Sequence, residues 1–339
     1  MPDESTPAGE PAAFEPPWWL RNRHAQTILP SFFPAPGDDH TALLRRVELP
    51  DGDALAVHDD LPAGWEPGGR VAILSHGLAD HHRTPLLVRL TAKLTARGVR
   101  VFRWDMRGCG AGMAWAKRPY HAGCSEDLAA VVSAVLGWCG ADAARPDVTL
   151  FGVSLSGNVL LKYLGEAPQR VPAAVRRAIA VNPPIDLLTG VASIGTRVNR
   201  VYDRHFTGVL VKHLEAWWAL RPDAARPAGG PRPRTLKEFD DWFTAPAIGY
   251  HDAFDYYRQA SAARFIPAIG TPTTIITSRD DPLVPFEMFA ADRVAYPACV
   301  RLVATDHGGH VGFVGRRGSD PDTRWLDWRV VGIVTGSEA

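Results

Sequence analysis

The sequence predicts an α/β protein with a mainly parallel sheet of the eight-stranded type, helices on both of its faces and an inserted helical cap. Three observations carry this expectation. Short apolar runs alternate with longer segments of helical periodicity, the pattern of strand–helix–strand units joined by right-handed crossovers. Several of these runs end abruptly in glycine-bearing turns. Residues 189–264, dense in Trp, Phe and Tyr, then interrupt the rhythm between two strands.

Taken in order, residues 1–16 are acidic and proline-rich and read as a loosely attached lead, without the basic and apolar regions of a secretory signal. Pro17 to Pro36 mix aromatic and polar side chains, among them Trp18, Trp19, His24, Gln26, Phe32 and Phe33. Residues 1–40 are therefore expected to form a lead and an aromatic segment packing on the core. Ala42–Leu49 and Ala54–Asp59 read as strands flanking the hairpin loop Pro50-Asp51-Gly52-Asp53. Val71–Ser75 is a buried-strand run ending at His76-Gly77. Leu86, Leu87, Leu90 and Leu94 form a helical stripe closed by Gly98, and Arg100–Asp105 is again a strand. Ser125 is expected to cap a helix with Glu126 and Asp127 in its first turn. Val148–Val153, Gly157–Glu166 and Arg177–Asn182 read as strand, helix and strand. Residues 189–264 are read as the cap, with a Pro/Gly/Arg loop from Arg221 to Arg234. The core comprises residues 41–188 and 265–339, closing with strands Thr273–Thr277 and Val300–Ala304 and a helix over Arg324–Val334.

Composition narrows the function. The 339 residues carry 37 Lys+Arg against 37 Asp+Glu, which removes the long-range field expected of a nucleic-acid or anionic-membrane binder. A hydrophobic content of 46% is too high for a disordered chain. No apolar run approaches the ~20 residues that span a bilayer, so no stable membrane insertion and a cytoplasmic location are expected. Cys109, Cys124, Cys139 and Cys299 are scattered without zinc-ligand spacing and read as free thiols. No metal or organic cofactor is implied, and the oligomeric state is not legible.

The chemistry concentrates in three motifs. Phe151-Gly152-Val153-Ser154-Leu155-Ser156-Gly157-Asn158 lies where a strand hands over to a helix. A nucleophile elbow needs small residues two before and two after the nucleophile, so that strand and helix do not collide while its Oγ projects from the sheet edge. Ser154 fits that position, with Ser156 as a minor alternative. A serine hydroxyl then needs a neutral imidazole to accept its proton. His310, in Asp306-His307-Gly308-Gly309-His310-Val311-Gly312-Phe313, is the candidate, and His307 its rival. The imidazole in turn needs a buried carboxylate. Asp281 precedes a Pro-Leu-Val-Pro turn and is preferred, with neighbouring Asp280 as the alternative. The order Ser154, Asp281, His310 is that of the α/β-hydrolase arrangement. Backbone N–H groups of Leu155, at the helix N-terminus, and of Leu78, in the turn after Val71–Ser75, are the expected oxyanion donors. His76 is expected to shape that turn rather than react. Arg107-Gly108-Cys109-Gly110-Ala111-Gly112 has the wrong glycine spacing for a dinucleotide loop and reads as a structural turn.

These residues carry a likeness. The chain resembles the YheT-like branch of the α/β-hydrolases, related to abhydrolase-domain lipases and esterases. The likeness rests on the run from Pro17 to Pro30, on His76-Gly77-Leu78, Arg107-Gly108-Cys109-Gly110, Tyr120-His121-Ala122-Gly123 and Ser154-Leu155-Ser156-Gly157-Asn158. It continues through Asp280-Asp281-Pro282 and Gly308-Gly309-His310-Val311-Gly312-Phe313. The resemblance implies a Ser/Asp/His hydrolase of carboxylic esters, with Ser154, Asp281 and His310 at the matching positions. The family usually has Gly where Ser156 stands. The expected function is a serine esterase acting on a small-molecule ester with an uncharged, apolar acyl group. A non-catalytic ligand-binding protein on the same fold, or an acyltransferase with the same three residues, are the alternatives.

Overall fold

A computed structural model describes residues 13–33, 42–140, 146–227 and 229–337. Most of the lead and the end of the aromatic segment, residues 1–12 and 34–41, lie outside them.

The strands are β1 (Leu43–Glu48), β2 (Ala54–Asp60), β3 (Arg70–Ser75), β4 (Arg100–Asp105), β5 (Asp147–Val153), β6 (Val175–Val181), β7 (Thr273–Ser278) and β8 (Val300–Thr305). They form one eight-stranded sheet in the order β1-β2-β4-β3-β5-β6-β7-β8. β1 pairs antiparallel with β2, and β2 with β4; from β4 onward every pair is parallel. The β1–β2 hairpin turns at Gly52, whose φ of 85° suits a residue without Cβ. Central strands buried on both faces need apolar runs rather than alternation, as in Val71-Ala72-Ile73-Leu74.

Two apolar clusters sandwich this sheet. On one face Val71, Ile73, Phe102, Trp104 and Leu150 meet the helices Ser125–Trp138 and Leu155–Glu166. On the other, Leu74, Phe151, Ile179 and Ile276 meet the helices Pro85–Thr95 and Trp325–Thr335. Between β6 and β7 run the helices Leu187–Ile194, Arg200–Leu220 and Ala253–Ala260, with a composite helix from Leu236 to Ile248. These carry two clusters of their own, one around Leu210, Trp217, Phe239 and Phe243 and one around Tyr256 and Tyr257.

Two local expectations are corrected. Ser125 is the first residue inside its helix, and Cys124 occupies the cap without a side-chain bond. The Ser125 hydroxyl is drawn instead to Glu166, 2.7 Å away, and receives Lys162 Nζ at 3.1 Å. The helix after β5 begins at Leu155, two residues earlier than the apolar pattern suggests, because the elbow turn leads straight into it. All four cysteines are free. No helix among the described residues is long and apolar enough to cross a membrane.

Candidate active site

Leu78, Ser154, Asp281 and His310 all follow the carboxyl ends of parallel strands, β3, β5, β7 and β8. Ser154 follows β5 with φ 53° and ψ −123°, a conformation that L-residues reach only under strain. The turn is so tight that a Cβ on Gly152 would lie 2.6 Å from Ser156 O, so residue 152 must be glycine. Ser156 is buried and turned away from Ser154. Its Oγ accepts the Val153 N–H at 2.9 Å and lies 3.0 Å from both Ser75 O and Val153 O. The residue that departs from the glycine of the family thus pins the elbow to β3.

His310 Nε2 lies 3.0 Å from Ser154 Oγ, and its Nδ1 lies 2.8 Å from Asp281 Oδ2. Asp281 also accepts Leu283 N–H (2.8 Å), Val284 N–H (3.0 Å) and Asn182 Nδ2–H (2.5 Å). Toward these donors the Asp281 carboxylate acts as an acceptor. Nδ1 of His310 therefore carries the proton, and Nε2 presents a lone pair to the serine. The two rivals pair with each other instead: His307 Nδ1 lies 3.3 Å from Asp280 Oδ2, and Asp280 Oδ1 accepts the Gly309 N–H at 2.9 Å. They tie the His310 loop to the loop after β7.

The structure brings further residues to this loop. Thr27 Oγ1 accepts the His310 N–H at 2.9 Å. Gln26, fully buried, clamps Val314 through both backbone groups at 2.9 and 3.1 Å. Gly312 packs so closely on that segment that a Cβ would come within 1.9 Å of Gln26 O. Asn182 (φ 43°) spans Asp281 and Gly309 O. Sequence reasoning missed all of these roles because each partner lies far away in the chain.

On the other side of Ser154, His76 is buried. It accepts Met106 N–H on Nε2 at 3.0 Å and faces Gly77 O with Nδ1 at 2.8 Å, and burial lowers its pKa. It holds the turn that carries Leu78. Ala79 (φ 52°) donates its N–H to Tyr120 Oη at 2.8 Å, whereas Leu78 N–H has no acceptor among the described residues. Leu155, first in its helix, has no intrahelical acceptor for its N–H either. Both residues line, with Ser154 and His310, a cavity of about 380 Å³. Its wall is mostly apolar and drawn largely from the helices between β6 and β7.

The glycine-rich turn after β4 is structural. Arg107 bridges Asp51, Asp53 and Asp127, and Asp105 receives Ala111 N–H and His82 N–H. Asp105 also gathers His58 Nε2 (3.1 Å) and His82 Nδ1 (3.0 Å), a donor set of the kind that can hold a metal ion. The two rings, however, are stacked 3.4 Å apart. In this arrangement both rings donate an N–H to one carboxylate, so neither of those nitrogens offers a lone pair to an ion. Burial alone would raise the Asp105 pKa, but the hydrogen bonds of His58 and His82 hold it well below the usual carboxylate range.

Sheet order, elbow and the Ser–Asp–His order define an α/β-hydrolase. Residues 73–316 match the model of the alpha/beta hydrolase fold family. The chain belongs to that family, in its YheT-like branch. It is 32% identical over 327 residues to the "Putative esterase YheT" of Escherichia coli (strain K12), covering 94% of this chain and 92% of that one. It is 25% identical to a monoacylglycerol lipase of Saccharomyces cerevisiae, covering 79% of this chain and 61% of the relative. Among solved structures, the 2,6-dihydroxy-pseudo-oxynicotine hydrolase aligns with a TM-score of 0.56 at 18% identity, over 93% of this chain and 73% of that one. The relatives support a hydrolase with esterase- or lipase-like kin.

Proposed function

We propose that the protein is a serine esterase that cleaves carboxylic esters through an acyl-enzyme on Ser154. The observation that supports it is the continuous array Ser154 Oγ–His310–Asp281, at 3.0 and 2.8 Å, opening on an apolar cavity. His310 Nε2 takes the Ser154 hydroxyl proton as Oγ attacks the ester carbonyl. The oxyanion that forms is met by the N–H groups of Leu78 and Leu155. As the intermediate collapses, His310 returns the proton to the leaving alcohol. It then deprotonates a water that attacks the acyl-enzyme, and passes this proton to Ser154 Oγ as the C–Oγ bond breaks and the acid leaves. Asp281 stays ionised throughout and stabilises the imidazolium. The helices between β6 and β7 serve as the cap, and their apolar wall suits an uncharged acyl chain.

A panel of p-nitrophenyl esters of increasing chain length tests this. Hydrolysis with an optimum in chain length is expected, and Ser154→Ala should abolish it. Turnover that persists in Ser154→Ala would refute the assignment. Product analysis with a competing alcohol separates hydrolysis from acyl transfer.

A further inference from the structure

The cavity wall contains a feature that ester cleavage does not use. Between the helical turns Leu236–Phe239 and Ala245–Ile248, residues Asp240–Thr244 are wound as a π-helix. Such a turn breaks the ordinary helical spacing, and it recurs at functional sites. Here it puts Asp240, Phe243 and Thr244 together on the cavity surface.

Asp240 is a carboxylate with no counter-ion among the described residues. Its Oδ2 accepts the Tyr257 hydroxyl at 2.6 Å, and Thr244 adds a second hydrogen bond. No arginine, lysine or histidine among the described residues forms an ion pair with it. The protein packed around it pushes its pKa up to about 6, partly offset by those two hydrogen bonds. Its titratable neighbours bring no positive charge. Asp241, on the same turn, is tied to Lys237 at 2.6 Å, and Tyr256, Tyr257 and Tyr120 are phenols whose pKa values burial raises. His121 and His213 line the same cavity with pKa values lowered by burial to about 4, so both are neutral at physiological pH. Of the arginines on the wall, Arg89 and Arg107 are committed to Asp327 and to Asp51, Asp53 and Asp127, and Arg324 lies over the Phe33 ring, 5.3 Å from its centroid. Around Asp240 the surface is aromatic: Phe239, Phe243, Tyr256, Tyr257 and Trp217 all line the cavity.

An uncompensated carboxylate set among aromatic faces complements one kind of group. An ammonium ion gains from the charge and from the ring quadrupoles together, and a dry site strengthens both. An apolar acyl chain offers this carboxylate nothing, so the cation belongs to the other half of the ester. We propose that Asp240, with Tyr257 and the rings of Phe239 and Phe243, forms a subsite for an ammonium group on the alcohol half of the substrate. This rests on the esterase reading and adds a substrate class to it.

The test compares butyrylcholine with 3,3-dimethylbutyl butyrate, its uncharged isostere with the same acyl group. Wild type should favour the cationic ester. The ratio of the two kcat/KM values should rise with pH through about 6, as Asp240 ionises, and then level off. His310 acts on both esters alike, so its contribution cancels in the ratio. Asp240→Asn should lower the ratio at least about tenfold and flatten its pH dependence. Tyr257→Phe should lower it less. In parallel, calorimetry should show tetramethylammonium binding to wild type more tightly than to Asp240→Asn. That readout needs no catalysis, so it decides the subsite even if neither ester is hydrolysed. Four results would overturn the proposal. They are no preference for the cation in wild type, an equal loss on both esters in Asp240→Asn, a ratio that responds instead to Asp80→Asn, the other carboxylate lining the cavity, and a selective loss on monobutyrylglycerol, which would make Asp240 a hydroxyl acceptor.

Discussion

The edge of the sheet and the helical wall between β6 and β7 face the same cavity but are held in different ways. At the edge the backbone sets positions. Ser154 is strained to φ 53°, Gly152 and Gly312 leave no room for a Cβ, and Asp281 is fixed by four donors. On the wall, side chains set positions. Trp217, Trp218, Phe239 and Phe243 meet edge-on or tilted, with centroids 5.8–6.2 Å apart. Ring packing of that kind tolerates a volume-conserving exchange, whereas a backbone contact below van der Waals distance does not. On the proposed function, reaction geometry belongs to the edge and substrate selection to the wall.

The sharpest way to break this division is at the edge. Ser154→Ala and His310→Ala should each cut kcat by roughly 10⁴-fold or more, and Asp281→Asn by about 10⁴-fold, with thermal unfolding little changed. Gly312→Ala should rank next. Its Cβ must displace the Gln26 backbone, so a loss of about 3 kcal/mol in chemical denaturation is expected, together with weakened activity. On the wall, Phe243→Leu should cost less than about 1.5 kcal/mol and leave Ser154 reactive, while moving the chain-length optimum of the ester panel. The smallest effect is expected at Ser156→Gly. It restores the usual family residue but removes the hydroxyl bridge between β5 and β3, costing about 1 kcal/mol with turnover nearly unchanged. A large kcat loss in Phe243→Leu or Ser156→Gly would erase the distinction between edge and wall.

The same contrast explains what the sequence makes legible. Strand ends are local events. A glycine two residues before Ser154, the Gly pair before His310 and the turn after Asp281 are all visible in short windows, so the succession of strands and the candidate site positions can be read from them. Choosing Asp281 over Asp280, or His310 over His307, depends on how two loops meet, and only the structure shows the second pair bonded to itself. Thr27, Gln26 and Asn182 act on residues 283, 288 and 99 positions away, distances at which no periodicity carries information. The cavity wall is harder still. The π-turn at Asp240–Thr244 breaks the 3.6-residue spacing on which helix recognition relies, so no local pattern marks Asp240 out. Ser125 illustrates the converse: its type suits a cap, but Lys162 and Glu166 on the next helix claim its hydroxyl.

The central claim is that Ser154 is a nucleophile activated by His310. Intact-mass measurement after treatment with a fluorophosphonate tests it most directly. A single covalent adduct is expected on wild type, none on Ser154→Ala and greatly slowed formation on His310→Ala. Correctly folded wild type that stays unlabelled, or a Ser154→Ala variant that labels as fast as wild type, would contradict it.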